Sequence, residues 1–170
     1  MTDLLSDDRA DAVLSEDRQY RYRLSRTWDT EKPTIAFVML NPSTADETED
    51  DPTIRRCLGF AEDWGYGSLL VGNLFAYRTS DPADLRDVDD PVGPENDQHL
   101  RDICDEADKV IVAWGTDGDL HDREREFVEK LDVDLYALDT TKDGHPNHPL
   151  YQPADAEPEL FELEGGESDE

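Results

Sequence analysis

Ile35-Ala36-Phe37-Val38-Met39-Leu40-Asn41-Pro42-Ser43-Thr44 decides the fold of this chain. An unbroken apolar run passes directly into a polar, proline-stiffened loop. A strand covered on one face alternates apolar and polar residues, whereas one covered on both faces reads as a continuous apolar run. The spacing therefore predicts a central strand of a parallel sheet with helices above and below. Leu69-Leu70-Val71-Gly72-Asn73-Leu74-Phe75, Val110-Ile111-Val112-Ala113-Trp114 and Val133-Asp134-Leu135-Tyr136-Ala137-Leu138 repeat the pattern. Between them lie segments with helical spacing. Asp51-Pro52 is a helix N-cap followed by proline at the first helical position. That helix carries Ile54, Cys57, Leu58 and Ala61 inward and stops by Gly65. Further helices are expected over 94–107, after Gly93-Pro94, and over 119–131, with Leu120, Phe127, Val128 and Leu131 inward.

Tyr20-Arg21-Tyr22-Arg23-Leu24-Ser25 alternates and reads as a half-exposed antiparallel edge strand. The expected architecture is an α/β three-layer sandwich, with a small, mostly parallel four-stranded sheet plus that antiparallel N-terminal edge strand. Residues 1–18 form an acidic segment, frayed or loosely helical. Residues 19–151 form a single α/β domain, and 152–170 an acidic, disordered tail.

The chain has 170 residues, enough for one domain with a real core. No apolar stretch approaches a membrane span, and the acidic start lacks the basic, then apolar, order of a signal peptide. A cytoplasmic location and no membrane partner are the default expectation. Cys57 and Cys104 have no ligand spacing and read as reduced, half-buried thiols. Forty-four Asp and Glu face 16 Lys and Arg, a net charge of −28. Because the acid is spread through segments with good apolar periodicity, it reads as a salt-adapted surface rather than a disordered tail. At about 1 M salt the Debye length is only ~3 Å, so this charge does not exclude a nucleic-acid ligand. No GxGxxG follows a strand and no GxxxxGK[ST] occurs, which argues against dinucleotide and Walker-type sites.

In a parallel sheet the strands end at one edge, where ligands bind. That edge collects Asn41, Pro42, Ser43 and Thr44, then Asn73 with Tyr77 and Arg78 beyond, then Trp114 and Gly115. Last come Lys142, Asp143, Gly144, His145, Asn147 and His148. An amide donates and accepts, so a buried Asn can read the edge of a nucleobase. An imidazole can shuttle a proton or donate to a developing oxyanion. Each part has a plainer alternative. Asn-Pro starts turns as readily as it marks a site. Asn73 could satisfy a neighbouring loop, and Trp114 is more often core than a stacking platform. Two histidines between prolines in one loop tilt toward function. His99 and His121 read as surface helix residues. Arg55 and Arg56, in the first turn of a helix, oppose its dipole unless they serve an anion there, and pairing with Asp50, Asp51 or Glu62 explains them equally well. His-x-x-His without a carboxylate or Cys at ligand spacing does not make a metal site, so neither metal nor cofactor is expected.

Across 19–151, the strings Met39-Leu40-Asn41-Pro42-Ser43-Thr44-Ala45-Asp46, Asp51-Pro52-Thr53-Ile54-Arg55-Arg56-Cys57, Gly72-Asn73-Leu74-Phe75-Ala76-Tyr77-Arg78, Val112-Ala113-Trp114-Gly115 and Gly144-His145-Pro146-Asn147-His148-Pro149 resemble the uncharacterised domain-of-unknown-function family 1643. More distantly, the order of Asn41-Pro42, Asn73, Trp114-Gly115 and His145-Pro146 is similar to that of the uracil-DNA glycosylase-like superfamily. This likeness implies that Asn41 positions water, Asn73 reads a base, and His145 or His148 stabilises the departing base. Asn147 stands where that superfamily has Ser. No wedge loop follows the last motif, and Phe75 and Tyr77 are the candidates for a stacking ring. The ligand-binding set expected on these grounds is Pro42, Ser43, Asn73, Tyr77, Arg55, Arg56, Trp114 and Asn147. A nucleobase, nucleotide or nucleic acid is the expected partner, with N-glycosidic hydrolysis as the reaction. The alternative is a non-catalytic nucleotide- or nucleic-acid-binding module, or an interaction module whose edge motifs are structural.

Overall fold

In the computed structural model, residues 9–42, 45–46, 49–115, 123–130, 133–138, 140, 146, 152 and 156–161 are described. They build strands β1 (Arg9–Leu14), β2 (Arg21–Thr27) and β3 (Thr34–Met39), helix α1 (Pro52–Asp63), β4 (Ser68–Asn73), helix α2 (Asn96–Glu106), β5 (Lys109–Val112), helix α3 (Arg123–Lys130), β6 (Leu135–Ala137) and β7 (Glu159–Leu160). A short 3₁₀ turn, Pro82–Arg86, lies in the long loop before α2.

All seven strands join one sheet in the order β1-β2-β4-β3-β5-β6-β7. The centre, β4-β3-β5-β6, is parallel as the apolar runs require, and both flanks are antiparallel. Along β3, Ile35, Phe37 and Met39 pack with Ile54, Cys57, Phe60 and Ala61 of α1. Ala36 and Val38 pack on the other face, with Leu100 and Ile103 of α2 and Phe127 of α3. Both faces being covered is why no polar residue interrupts the run. A Cβ on Gly72 would stand 2.8 Å from the side chains of both Leu100 and Ile103, so glycine there lets α2 lie close on β4. Asp51 caps α1, its Oδ1 accepting from Ile54 N at 2.9 Å, with proline at the first helical position.

The sheet is larger than the sequence reading. β2 is not an edge, because Arg9–Leu14 pairs along it where a frayed or loosely helical segment was expected. The acidic character of 1–18 hid a strand whose outer face is solvated. The expected tail also contributes: β7 pairs with β6, and Phe161 is buried edge-on to Trp114 at 6.0 Å. Composition alone missed this, because one aromatic anchor is enough to dock an otherwise acidic segment. Cys57 and Cys104 are free and buried, one in each half of the core. Desolvation raises both thiols, Cys104 to about 12.

Candidate functional site

The chain runs from β3 outward to β4, then returns past β3 to β5 on its other side. Strand order therefore reverses at β3, and a crevice opens beyond the carboxyl ends of strands at such a point. A cleft of about 140 Å³ lies there. Its lining comes from the end of β3 (Met39, Leu40, Asn41, Pro42), the end of β4 (Asn73), Trp114 after β5, Arg21 at the start of β2, and the first turn of α1 (Asp51, Thr53, Ile54).

Asn73 is the last residue of β4 and shares the α1 face with Leu69 and Val71. Asn73 is only 1% exposed, and among the described residues neither Oδ1 nor Nδ2 has a hydrogen-bond partner. A buried amide normally finds partners, and leaving it without them costs about 1–3 kcal/mol. Its backbone carbonyl is occupied, accepting from Asn96 Nδ2 at 2.9 Å.

Asn41 is held differently. Its Nδ2 donates to Pro42 O at 3.0 Å and to Thr79 O at 2.8 Å. Both acceptors are carbonyls, so the orientation of the amide is set. Oδ1 is left as the acceptor, with no donor to it among the described residues.

Arg21 was read from the sequence only as part of an alternating strand. Pairing between β1 and β2 jumps from Val13↔Arg23 to Leu14↔Arg21, so Tyr22 is an extra, bulged residue. A bulge re-aims the side chains on either side of it. Tyr22 and Arg23 both turn to α2, Tyr22 stacking on His99 at 5.1 Å and Arg23 pairing with Glu106. Arg21 turns instead to the α1 side, where Nη1 donates to Ala45 O at 3.0 Å. The residue is 2% exposed, and among the described residues its Nε has no partner and no carboxylate forms an ion pair with it. Burial pulls its pKa down to about 10, against the opposing pull of the nearby Asp51 carboxylate. Asp51 is itself committed to the backbone, Oδ1 accepting from Ile54 N and Oδ2 from Ala45 N at 3.3 Å. The sequence did carry one signal: Arg18, Arg21, Arg23 and Arg26 concentrate four of the 16 basic residues in nine positions of an acid-rich chain.

Trp114 is both lining and core. Its Nε1 donates to Glu124 Oε1 at 2.8 Å, and its ring meets Phe127 and Phe161 edge-on. Of the other expected site residues, Tyr77 packs edge-on against Tyr20 at 6.2 Å, outside the lining. Arg55 is exposed and donates to Asp50 O at 3.1 Å. Arg56 donates to Gln152 O and lies over the Phe60 ring at 5.1 Å, tying the C-terminal segment to α1. Neither arginine lines the cleft. Asn41, Pro42, Asn73 and Trp114 are thus brought together, and Tyr77, Arg55 and Arg56 stand apart. Ser43, His145, Asn147 and His148 lie outside the described residues. Pro146 is described: its carbonyl accepts from Gly115 N at 2.8 Å, and it bridges to Thr140. The residue after Trp114 is therefore bonded to the residue between His145 and Asn147. His99 is not a free surface residue, since its ring stacks on Tyr22. Among the described residues no group of three or more His, Cys, Asp or Glu could hold a metal ion, and no helix is long and apolar enough to cross a membrane.

The family profile described as Protein of unknown function (DUF1643) matches residues 21–150. The chain belongs to this family. The matched span opens on Arg21 and takes in every residue that lines the cleft. No curated protein and no solved structure matches the chain.

Proposed function

We propose that the cleft binds a nucleobase, free or within a nucleotide or nucleic acid, and that the protein hydrolyses an N-glycosidic bond there. The observation that carries this reading is Asn73, a buried amide at a strand-order reversal with both hydrogen-bonding atoms unclaimed among the described residues. One donor beside one acceptor complements the donor–acceptor edge of a base. Asn41, with its nitrogen tied to two carbonyls, offers Oδ1 to orient a water. His145 or His148 is assigned to the departing base, on the loop whose Pro146 is bonded to Gly115. The likeness of motif order to uracil-DNA glycosylase-like proteins supports the same assignment and a fold of that kind. The acidic surface is read as an adaptation to salt, and a cytoplasmic location fits it.

The test is base release from single- and double-stranded DNA, RNA and free nucleosides in molar KCl. Asn41→Ala and His145→Ala are expected to abolish release while keeping the cooperative unfolding transition. Full activity in both variants would sink the mechanism. A second reading, binding without catalysis, is favoured by one fact: an amide orients water but cannot take its proton. Ligand affinity with no released base from any substrate would select it.

A further inference from the structure

Arg21 is the polar group of the cleft that base reading leaves unexplained. Burying a cation is costly unless it is paired and fully hydrogen-bonded. This chain has 44 Asp and Glu available, yet among the described residues the Arg21 guanidinium makes one hydrogen bond, to a neutral carbonyl. Two other buried arginines are treated otherwise. Arg26 reaches Asp50 at 2.9 Å, and Arg123 reaches Asp97 at 2.7 Å and Glu126 at 2.8 Å. Asp51, the acid that acts on Arg21 electrostatically, has both oxygens on backbone N–H groups. The bulge at Tyr22 is what turns Arg21 to this side of the sheet.

Size narrows the occupant. A cavity of about 150 Å³ holds one benzene ring, and this cleft is about 140 Å³. It has room for one six-membered ring.

We infer that the cleft takes a single six-membered oxo-heterocycle in its anionic form, with Arg21 as the specificity-determining residue that receives the anionic ring oxygen. This rests on the nucleobase reading of Asn73 and deepens it. Asn73 supplies a donor and an acceptor to the ring edge. Arg21 supplies fixed positive charge, which neutral rings do not need. The Asp51 carboxylate beside it keeps the site selective, because a ligand that places its charge away from Arg21 meets repulsion.

The probes are barbiturate, which is ionised at neutral pH, and the neutral rings uracil and cytosine. Binding to the full chain is measured by calorimetry in molar KCl. The wild type is expected to prefer barbiturate over the neutral rings. Arg21→Met is expected to remove that preference, weakening barbiturate roughly 10- to 100-fold, the range for losing a hydrogen bond to a charged group, with little change for uracil. Asn73→Ala is expected to weaken every ring. Arg21→Gln serves if Arg21→Met does not fold, and the wild-type preference is decisive without either. Rings that bind with no charge preference, or a preference that survives Arg21→Met, overturn this inference and leave the nucleobase reading standing. Failure of every ring to bind overturns both.

Discussion

The carboxyl end of β4 has two sides, and they treat buried polar groups in opposite ways. On the side of α2 and α3, Asn96 is fully buried and its Nδ2 donates to the carbonyls of Asn73 and Leu74 at 2.9 and 3.1 Å. Arg123 adds Nε to Leu74 O at 2.8 Å and spreads its remaining nitrogens over Glu126 and Asp97. On the α1 side, Asn73 and Arg21 are buried to the same degree, yet among the described residues the amide has no partner and the guanidinium has one. The same two residue types thus appear once as a clamp and once as an open set. Groups that hold a fold together are satisfied by it. Groups left unsatisfied at a strand-order reversal are what the proposed ligand would satisfy. Asn96 is not perfect in this respect, because its Oδ1 is also without a partner among the described residues, but it does not line the cleft.

Replacing the clamping arginine should show the largest difference. Arg123→Ala is expected to destabilise the protein by about 3 kcal/mol, the low end for breaking a buried charge network. The low end applies because Asp97 and Glu126 are 41% and 49% exposed and regain water. Arg21→Met should leave stability unchanged or raise it, since it removes a poorly paired buried charge. Denaturant unfolding of both variants in molar KCl tests this, and equal losses would erase the distinction between the two sides. Asn96→Ala comes next, at about 1–2 kcal/mol. It strips one donor from Asn73 O and Leu74 O, although Arg123 still serves the latter. Its effect should add less than fully to that of Arg123→Ala, because both act on one carbonyl.

Much of this arrangement was legible in the residues. The four apolar runs placed the parallel strands, and the polar loops at their ends placed Asn41, Asn73 and Trp114 on one edge. What could not be read had specific causes. Arg21 was hidden because a bulge shifts the facing of a strand without changing its composition. Arg9–Leu14 and Glu159–Leu160 were hidden because flanking strands need few apolar residues when one side meets solvent. Arg55 and Arg56 were weighed between ligand and structure, and the structure gives each a protein partner in a backbone carbonyl.

A weaker polar contact on the clamped side provides the pH test. Arg23 grips Glu106 through two hydrogen bonds of 3.0 and 2.9 Å, and this holds the Glu106 carboxyl below its ordinary value of 4.5. A carboxyl lowered in the folded state contributes stability that is fully present above its ordinary pKa. That contribution is lost as pH falls through the lowered one. Glu106 is half exposed, so Arg23→Ala should cost less than about 1 kcal/mol at pH 7. The gap between wild type and variant should close as pH drops below the ordinary carboxyl range. Carboxyl NMR should show the Glu106 titration moving up in the variant, because the hydrogen bonds from Arg23 that lower it are gone. A gap that persists in acid would mean that Arg23 acts through packing rather than charge.

The smallest expected change is the most telling. Asn73 and Asn96 are both buried asparagines at the end of β4, Asn96 Nδ2 donating to the backbone carbonyl of Asn73, so a purely local view assigns them equal worth. Asn73→Leu removes an amide that has no partner among the described residues and replaces it with a side chain that needs none. Stability should shift by less than about 1 kcal/mol, toward a more stable protein, because an unmet desolvation cost disappears. Binding of ring ligands should be lost in the same variant. A gain or draw in stability joined to a loss of binding is what separates a ligand-facing residue from a structural one. If Asn73→Leu instead unfolds as readily as Asn96→Ala, then Asn73 carries a structural load, and the open side of β4 is not a ligand site.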